Sequence, residues 1–83
     1  MKVTPLGQKI LTALYGGEPG EFYLASQVPE LLGDFFMKPN GIGRSASTLV
    51  REGLVIASGE SPNRYQITEL GRQLVEQGFD KED

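Results

Sequence analysis

Apolar residues at Ile42, Ala46, Leu49 and Val50 recur with the i, i+4, i+7, i+8 spacing of one helical stripe. Arg44, Ser47, Thr48 and Arg51 fall on the opposite side. The pattern predicts a helix over 42–52 with one buried face. Its other face carries two guanidiniums and two hydroxyls, with no carboxylate near its centre. Gly53 ends the helix, because glycine adopts the left-handed C′ conformation at little cost. Leu54, Val55, Ile56 and Ala57 follow directly and predict a buried strand.

The chain before this helix predicts two more. Thr4 is a suitable N-cap and Pro5 suits the first helical position, where its missing N–H costs nothing. Leu6, Ile10, Ala13 and Leu14 form the main stripe, and Gly16-Gly17 ends it. Leu11 and Tyr15 lie off that stripe, so the helix is apolar on a second side. Packing within the chain is the simpler account of that side; a dimer contact is the other. Pro19-Gly20 predicts a turn. Phe22-Tyr23-Leu24 reads either as a very short strand or as the lead-in to a second helix over 25–32. Ser26 is that helix's expected cap, Val28, Leu31 and Leu32 its inward residues, and Gly33 its end. Phe35 and Phe36 read as core plugs in an irregular link. Asn40 is the expected cap of the 42–52 helix.

After residue 57 the pattern predicts a hairpin. Residues 59–63, Gly-Glu-Ser-Pro-Asn, form its turn. Arg64-Tyr65-Gln66-Ile67 returns with Tyr65 and Ile67 on one face. Thr68 caps a last helix whose first turn holds Glu69 and whose inward residues are Leu70, Leu74 and Val75. Gly78 ends it, Phe79 folds back as a latch, and Lys81-Glu82-Asp83 is a solvated tail. These elements predict one α+β, mainly α-helical domain over 1–83, with its ordered core at about 4–79.

Composition narrows the chemistry. Eighty-three residues with 39% hydrophobic content can build one modest core. The sequence has no cysteine and no histidine, which removes disulfides, thiolate metal sites and the commonest general base at neutral pH. Its carboxylates are scattered rather than paired in apolar surroundings. Gly41-x-Gly43 lacks the third glycine and the preceding strand of a phosphate-binding loop. The expectation is therefore no metal, no cofactor and no enzymatic activity. No apolar run approaches the roughly 20 residues that span a bilayer, and the first residues lack a signal peptide's apolar core. A cytoplasmic protein with no membrane partner is expected.

Net charge is −3, which argues against nucleic acid as a partner. Its distribution points the other way. Residues 38–65 carry Lys38, Arg44, Arg51 and Arg64 against Glu52 and Glu60, a local +2. Residues 1–37 sum to −2 and residues 66–83 to −3. The positive block coincides with the 42–52 helix and the hairpin after it.

The most specific signal joins Leu49-x-x-x-Gly53-Leu54-Val55 to Tyr65-x-Ile67-Thr68-x-x-Gly71 through a short turn. Three short helices, a hairpin and a closing helix follow the winged helix-turn-helix plan, with the hairpin as wing. Here the chain resembles the winged helix-turn-helix transcription regulators, most nearly the DNA-binding domain of the PadR-like family. The resemblance covers about residues 6–77. It rests on Ile10, Leu11 and Leu14, on Phe22 and Leu24, and on Pro39. It rests further on Leu49, Gly53, Leu54, Tyr65, Thr68 and Gly71, with Ile67 where the family has leucine. Where that family typically has a Tyr-Pro pair early in the reading helix, this chain has Gly43-Arg44.

The resemblance implies a small sequence-specific regulator of transcription. Helix 42–52 would enter the major groove of double-stranded DNA, and wing 58–64 would touch the flanking backbone. Its expected DNA-binding residues are Lys38, Arg44, Ser45, Ser47, Thr48, Arg51 and Arg64, since arginine can pair with guanine and hydroxyls reach bases or phosphates. A homodimer would double the contacts. The alternative is a winged-helix module that docks a protein and not DNA. Its expected partner or dimer face is Leu11, Tyr15, Val75 and Phe79.

Overall fold

The computed structural model describes residues 3–18, 20–34 and 41–79. Pro19, the Phe35–Asn40 link with Lys38, and the acidic tail lie outside them, so the expectations for those residues are not carried further.

Helix α1 spans Pro5–Tyr15. Thr4 caps it as expected, its Oγ accepting from the Gly7 N–H at 3.1 Å, with Pro5 following at the first position. Ile10, Leu11, Ala13 and Leu14 are all buried. Leu11 is 0% exposed, so the second apolar side of α1 is packed within the chain. The cause is position: α1 is the central helix and packs against α2, α3 and α4.

Strand β1, Tyr23–Leu24, follows, so the short-strand reading of this stretch holds. A single 3-10 turn, Ala25–Gln27, leads into α2, Val28–Leu32. Ser26 is exposed and does not cap it. The turn begins earlier, at Leu24, whose N–H donates to Gln27 Oε1 at 2.7 Å, the glutamine reaching back from the third position of the turn. Gly33, at φ 78°, closes α2 in the left-handed conformation.

Helix α3 spans Ile42–Arg51, and Gly41 occupies its cap position. Its C-terminus is a Schellman ending. The Gly53 N–H donates to the Val50 carbonyl at 3.0 Å and the Leu54 N–H to the Leu49 carbonyl at 2.9 Å, with Gly53 at φ 78°. Strands β2 (Val55–Ala57) and β3 (Arg64–Ile67) then form the expected hairpin, and α4 spans Glu69–Glu76. β3 is the central strand of an antiparallel sheet ordered β1-β3-β2, with Tyr23 opposite Tyr65 and Val55 opposite Ile67.

Two burial expectations are corrected. Ile56 is 47% exposed, because β2 is an edge strand with one wet face, where Ile56 lies opposite Gln66 while Val55 turns inward. Leu70 is 45% exposed. The residue of α4 that meets the sheet is its neighbour Gly71, which is buried with its Cα against Leu54 and Ile67. Leu74 is buried as expected, and Val75 and Phe79 pack half-buried against the core.

Thr68 joins the exits of two elements. Its Oγ1 donates to the Gly53 carbonyl at 2.8 Å and accepts from the Gly71 N–H at 3.1 Å, while its own N–H donates to the Leu54 carbonyl at 3.0 Å. The two halves of the sequence signature are thus hydrogen-bonded to each other. Thr68→Ala should cost about 1–2 kcal/mol, from one lost cap and one freed carbonyl. Thr68→Ser should recover most of it; denaturant melts of the three proteins check this. Among the described residues no helix is long and apolar enough to cross a membrane.

Candidate nucleic-acid interface

The amphipathic pattern of α3 determines what the site displays. Ile42, Ala46 and Leu49 are 0–2% exposed and hold the helix against α1. On a helix of 3.6 residues per turn, Arg44, Ser47, Thr48 and Arg51 fall within an arc of about 100° directly opposite. All four are exposed. Ser45 stands off this arc and is half-buried. With Thr48, Leu49 and Glu52 it lines a hollow of about 90 Å³, closed on its other side by Val3, Thr4 and Gly7. Ser45 is therefore not part of the exposed row with which it was grouped.

The hydroxyls on the arc have a defined direction. Ser47 Oγ donates to the Gly43 carbonyl at 3.0 Å, and Thr48 Oγ1 donates to the Arg44 carbonyl at 3.3 Å. Both are backbone bonds to the residue four positions earlier. The sequence named these residues without their orientation, although their mid-helix position was the available signal. Arg51 lies in the last turn of α3, where a cation interacts favourably with the helix dipole. Among the described residues no carboxylate pairs with Arg44, Arg51 or Arg64.

Arg64 is exposed at the start of β3, where its backbone is fixed from both sides. Its N–H donates to Ser58 Oγ at 3.1 Å, and its carbonyl accepts from the Ser58 N–H at 2.8 Å. The Glu60 N–H also donates to Ser58 Oγ, at 3.3 Å, so one serine closes the base of the 59–63 turn.

The second candidate face, between α1 and α4, is built differently from its expectation. Leu11 is inaccessible, and Tyr15 is engaged. The Tyr15 hydroxyl donates to Glu76 Oε2 at 2.9 Å, and the Arg72 guanidinium lies 4.8 Å from the ring centroid. The bond to the Glu76 carboxylate, first, and local desolvation hold the Tyr15 phenol above its ordinary value. Any stability this contact adds is present below the ordinary phenol pKa and is lost as pH rises through the raised one. In alkaline titrations of tyrosinate absorbance, the difference between wild type and Tyr15→Phe should show late ionisation. Glu76→Gln should move that component back toward the ordinary phenol.

Among the described residues no group of three or more metal-ligating side chains is assembled. No protein-family model matches this chain, and neither a curated protein nor a solved structure matches it.

Proposed function

We propose that this chain is a small winged-helix DNA-binding protein that regulates transcription. In this reading α3 enters the major groove and the 59–63 turn, the wing, meets the flanking backbone. The carrying observation is the outer arc of α3, where two arginines with no carboxylate partner among the described residues bracket two exposed hydroxyls. An exposed, cationic helix directly followed by a hairpin is the arrangement that groove-reading helices use. The order of helices and strands, with β1 paired to the hairpin, supports the winged-helix reading further. The alternative, a protein-docking module, suits the acidic total charge. It receives little support from the face assigned to it, since Leu11 is buried and Val75 and Phe79 pack on the core.

The test is fluorescence anisotropy with labelled duplex DNA at low salt. Residues 38–65 hold four cations. The slope of log K against log salt should therefore be no steeper than about −3.6, so affinity should fall by at most roughly 150-fold from 50 to 200 mM salt. Absence of binding at low salt, with recovery of one stable protein partner, would favour the docking module.

A further inference from the structure

We infer that Ser47 and Thr48 are specificity-determining residues that read exocyclic amino groups of DNA bases, and that they do not bind phosphate. The inference rests on the DNA-binding reading and adds the chemistry that α3 would select.

A hydroxyl has one proton and two lone pairs. In α3 both hydroxyls donate inward, Ser47 Oγ to the Gly43 carbonyl at 3.0 Å and Thr48 Oγ1 to the Arg44 carbonyl at 3.3 Å. What each oxygen offers outward is a lone pair. Phosphate oxygens are acceptors only, so they meet these hydroxyls as acceptor against acceptor. The major groove presents two complementary donors, the N6 amino group of adenine and the N4 amino group of cytosine. Guanine and thymine present acceptors at the corresponding positions, O6 and O4, and are disfavoured.

Arg44 and Arg51 bracket this pair and offer the opposite polarity. A guanidinium has only donors, and its best base partner is guanine, through O6 and N7. Seven residues at 1.5 Å each separate the two arginines by about 10.5 Å along the helix axis. At 3.4 Å per base step, that is about three steps. The arc therefore runs donor, acceptor, acceptor, donor. Its complement is a short site with guanine at each end and adenine or cytosine between, on the strand that the helix faces.

The experiment starts with selection from a randomised duplex pool by the wild-type chain. In the selected duplex, the central adenine or cytosine is replaced by purine or 2-pyrimidinone deoxynucleoside, which lack only the amino group. Wild type should lose about three- to tenfold in affinity for each amino group removed, the range of one net hydrogen bond. The Ser47→Ala/Thr48→Val variant should bind the intact and amino-less duplexes alike and keep the wild-type salt slope. Thr48→Ser, which keeps the acceptor, should still discriminate. Circular dichroism checks that the variants remain folded, as expected for substitutions on an exposed arc.

Guanine or thymine selected at the centre, on the strand that carries the two terminal guanines, would overturn the inference. So would a wild type indifferent to amino removal, or a penalty that persists in the double variant. If duplex is bound with sensitivity to Arg44 but without central preference, this inference fails and the DNA-binding reading stands. If no duplex is bound at all, both fail.

Discussion

Gly71→Ala is expected to cost about 3 kcal/mol or more, at the upper end for overpacking a tight contact. For a domain of this size that is a fall of roughly 12–24 °C in melting temperature. The cause is a backbone contact that cannot yield locally. A Cβ on Gly71 would overlap the Leu54 carbonyl oxygen and meet Ile67 Cγ1 at 2.8 Å. The Ile67 side chain can move. The Leu54 carbonyl cannot, because it accepts from Thr68, and Leu54 is itself fixed by the ending of α3. Relief requires lifting α4 off the sheet, which would expose Leu74 and loosen Phe79. Gly43→Ala is the matched control. Gly43 is helical, and an added Cβ meets nothing within 4 Å. Alanine there should stabilise by up to about 1 kcal/mol, from helix propensity alone. Calorimetric scans of the three proteins decide the matter. A Gly71→Ala melt within a few degrees of wild type would refute the proposed seat of α4.

The second large effect concerns DNA. Arg44→Ala and Arg51→Ala should each weaken binding to the selected duplex by about 1–3 kcal/mol, roughly five- to 150-fold, if each pairs bidentately with guanine. Each should also relax sequence preference at one end of the site. An arginine that touches only phosphate would behave otherwise: affinity would fall evenly across sequences and the salt slope would drop by about one. Arg72→Ala removes the same charge from the α1–α4 side, where the guanidinium lies over Tyr15. It should leave affinity nearly unchanged. Equal losses for Arg72→Ala and Arg44→Ala in anisotropy titrations would mean that only net charge is sensed and that α3 reads nothing.

The parts of this fold that rest on local chemistry were legible in the sequence. Thr4 and Thr68 cap helices where a threonine before a helical stripe predicts it, and Gly53 takes the left-handed turn that lets α3 pass directly into β2. The outward side of α3 was legible for the same reason, since one stripe of 3.6-residue period suffices to assign both faces. What depended on how closely elements approach was not legible. Leu70 looked like a core residue by spacing, but Gly71 brings α4 so near the sheet that the contact runs through a missing side chain. Ile56 looked buried because its neighbours are apolar, yet an edge strand alternates its faces whatever its composition. Leu11 could be read as packed within the chain or as part of a partner face, and the first holds, because one helix is surrounded by three others, a number that spacing alone does not give. The orientation of the Ser47 and Thr48 protons required coordinates.

The hydrogen bonds from Thr68 to Gly53 and Leu54 fasten the chain across the base of the hairpin, and Ser58 fastens it again just below the turn. Residues 59–63 therefore hang from a neck closed twice, and the helical body does not depend on their number. Lengthening such a flexible segment costs only about 0.6 kcal/mol per doubling. The tip is thus a place where foreign sequence can be spliced in, or the reach of the hairpin extended, without refitting the scaffold beneath it.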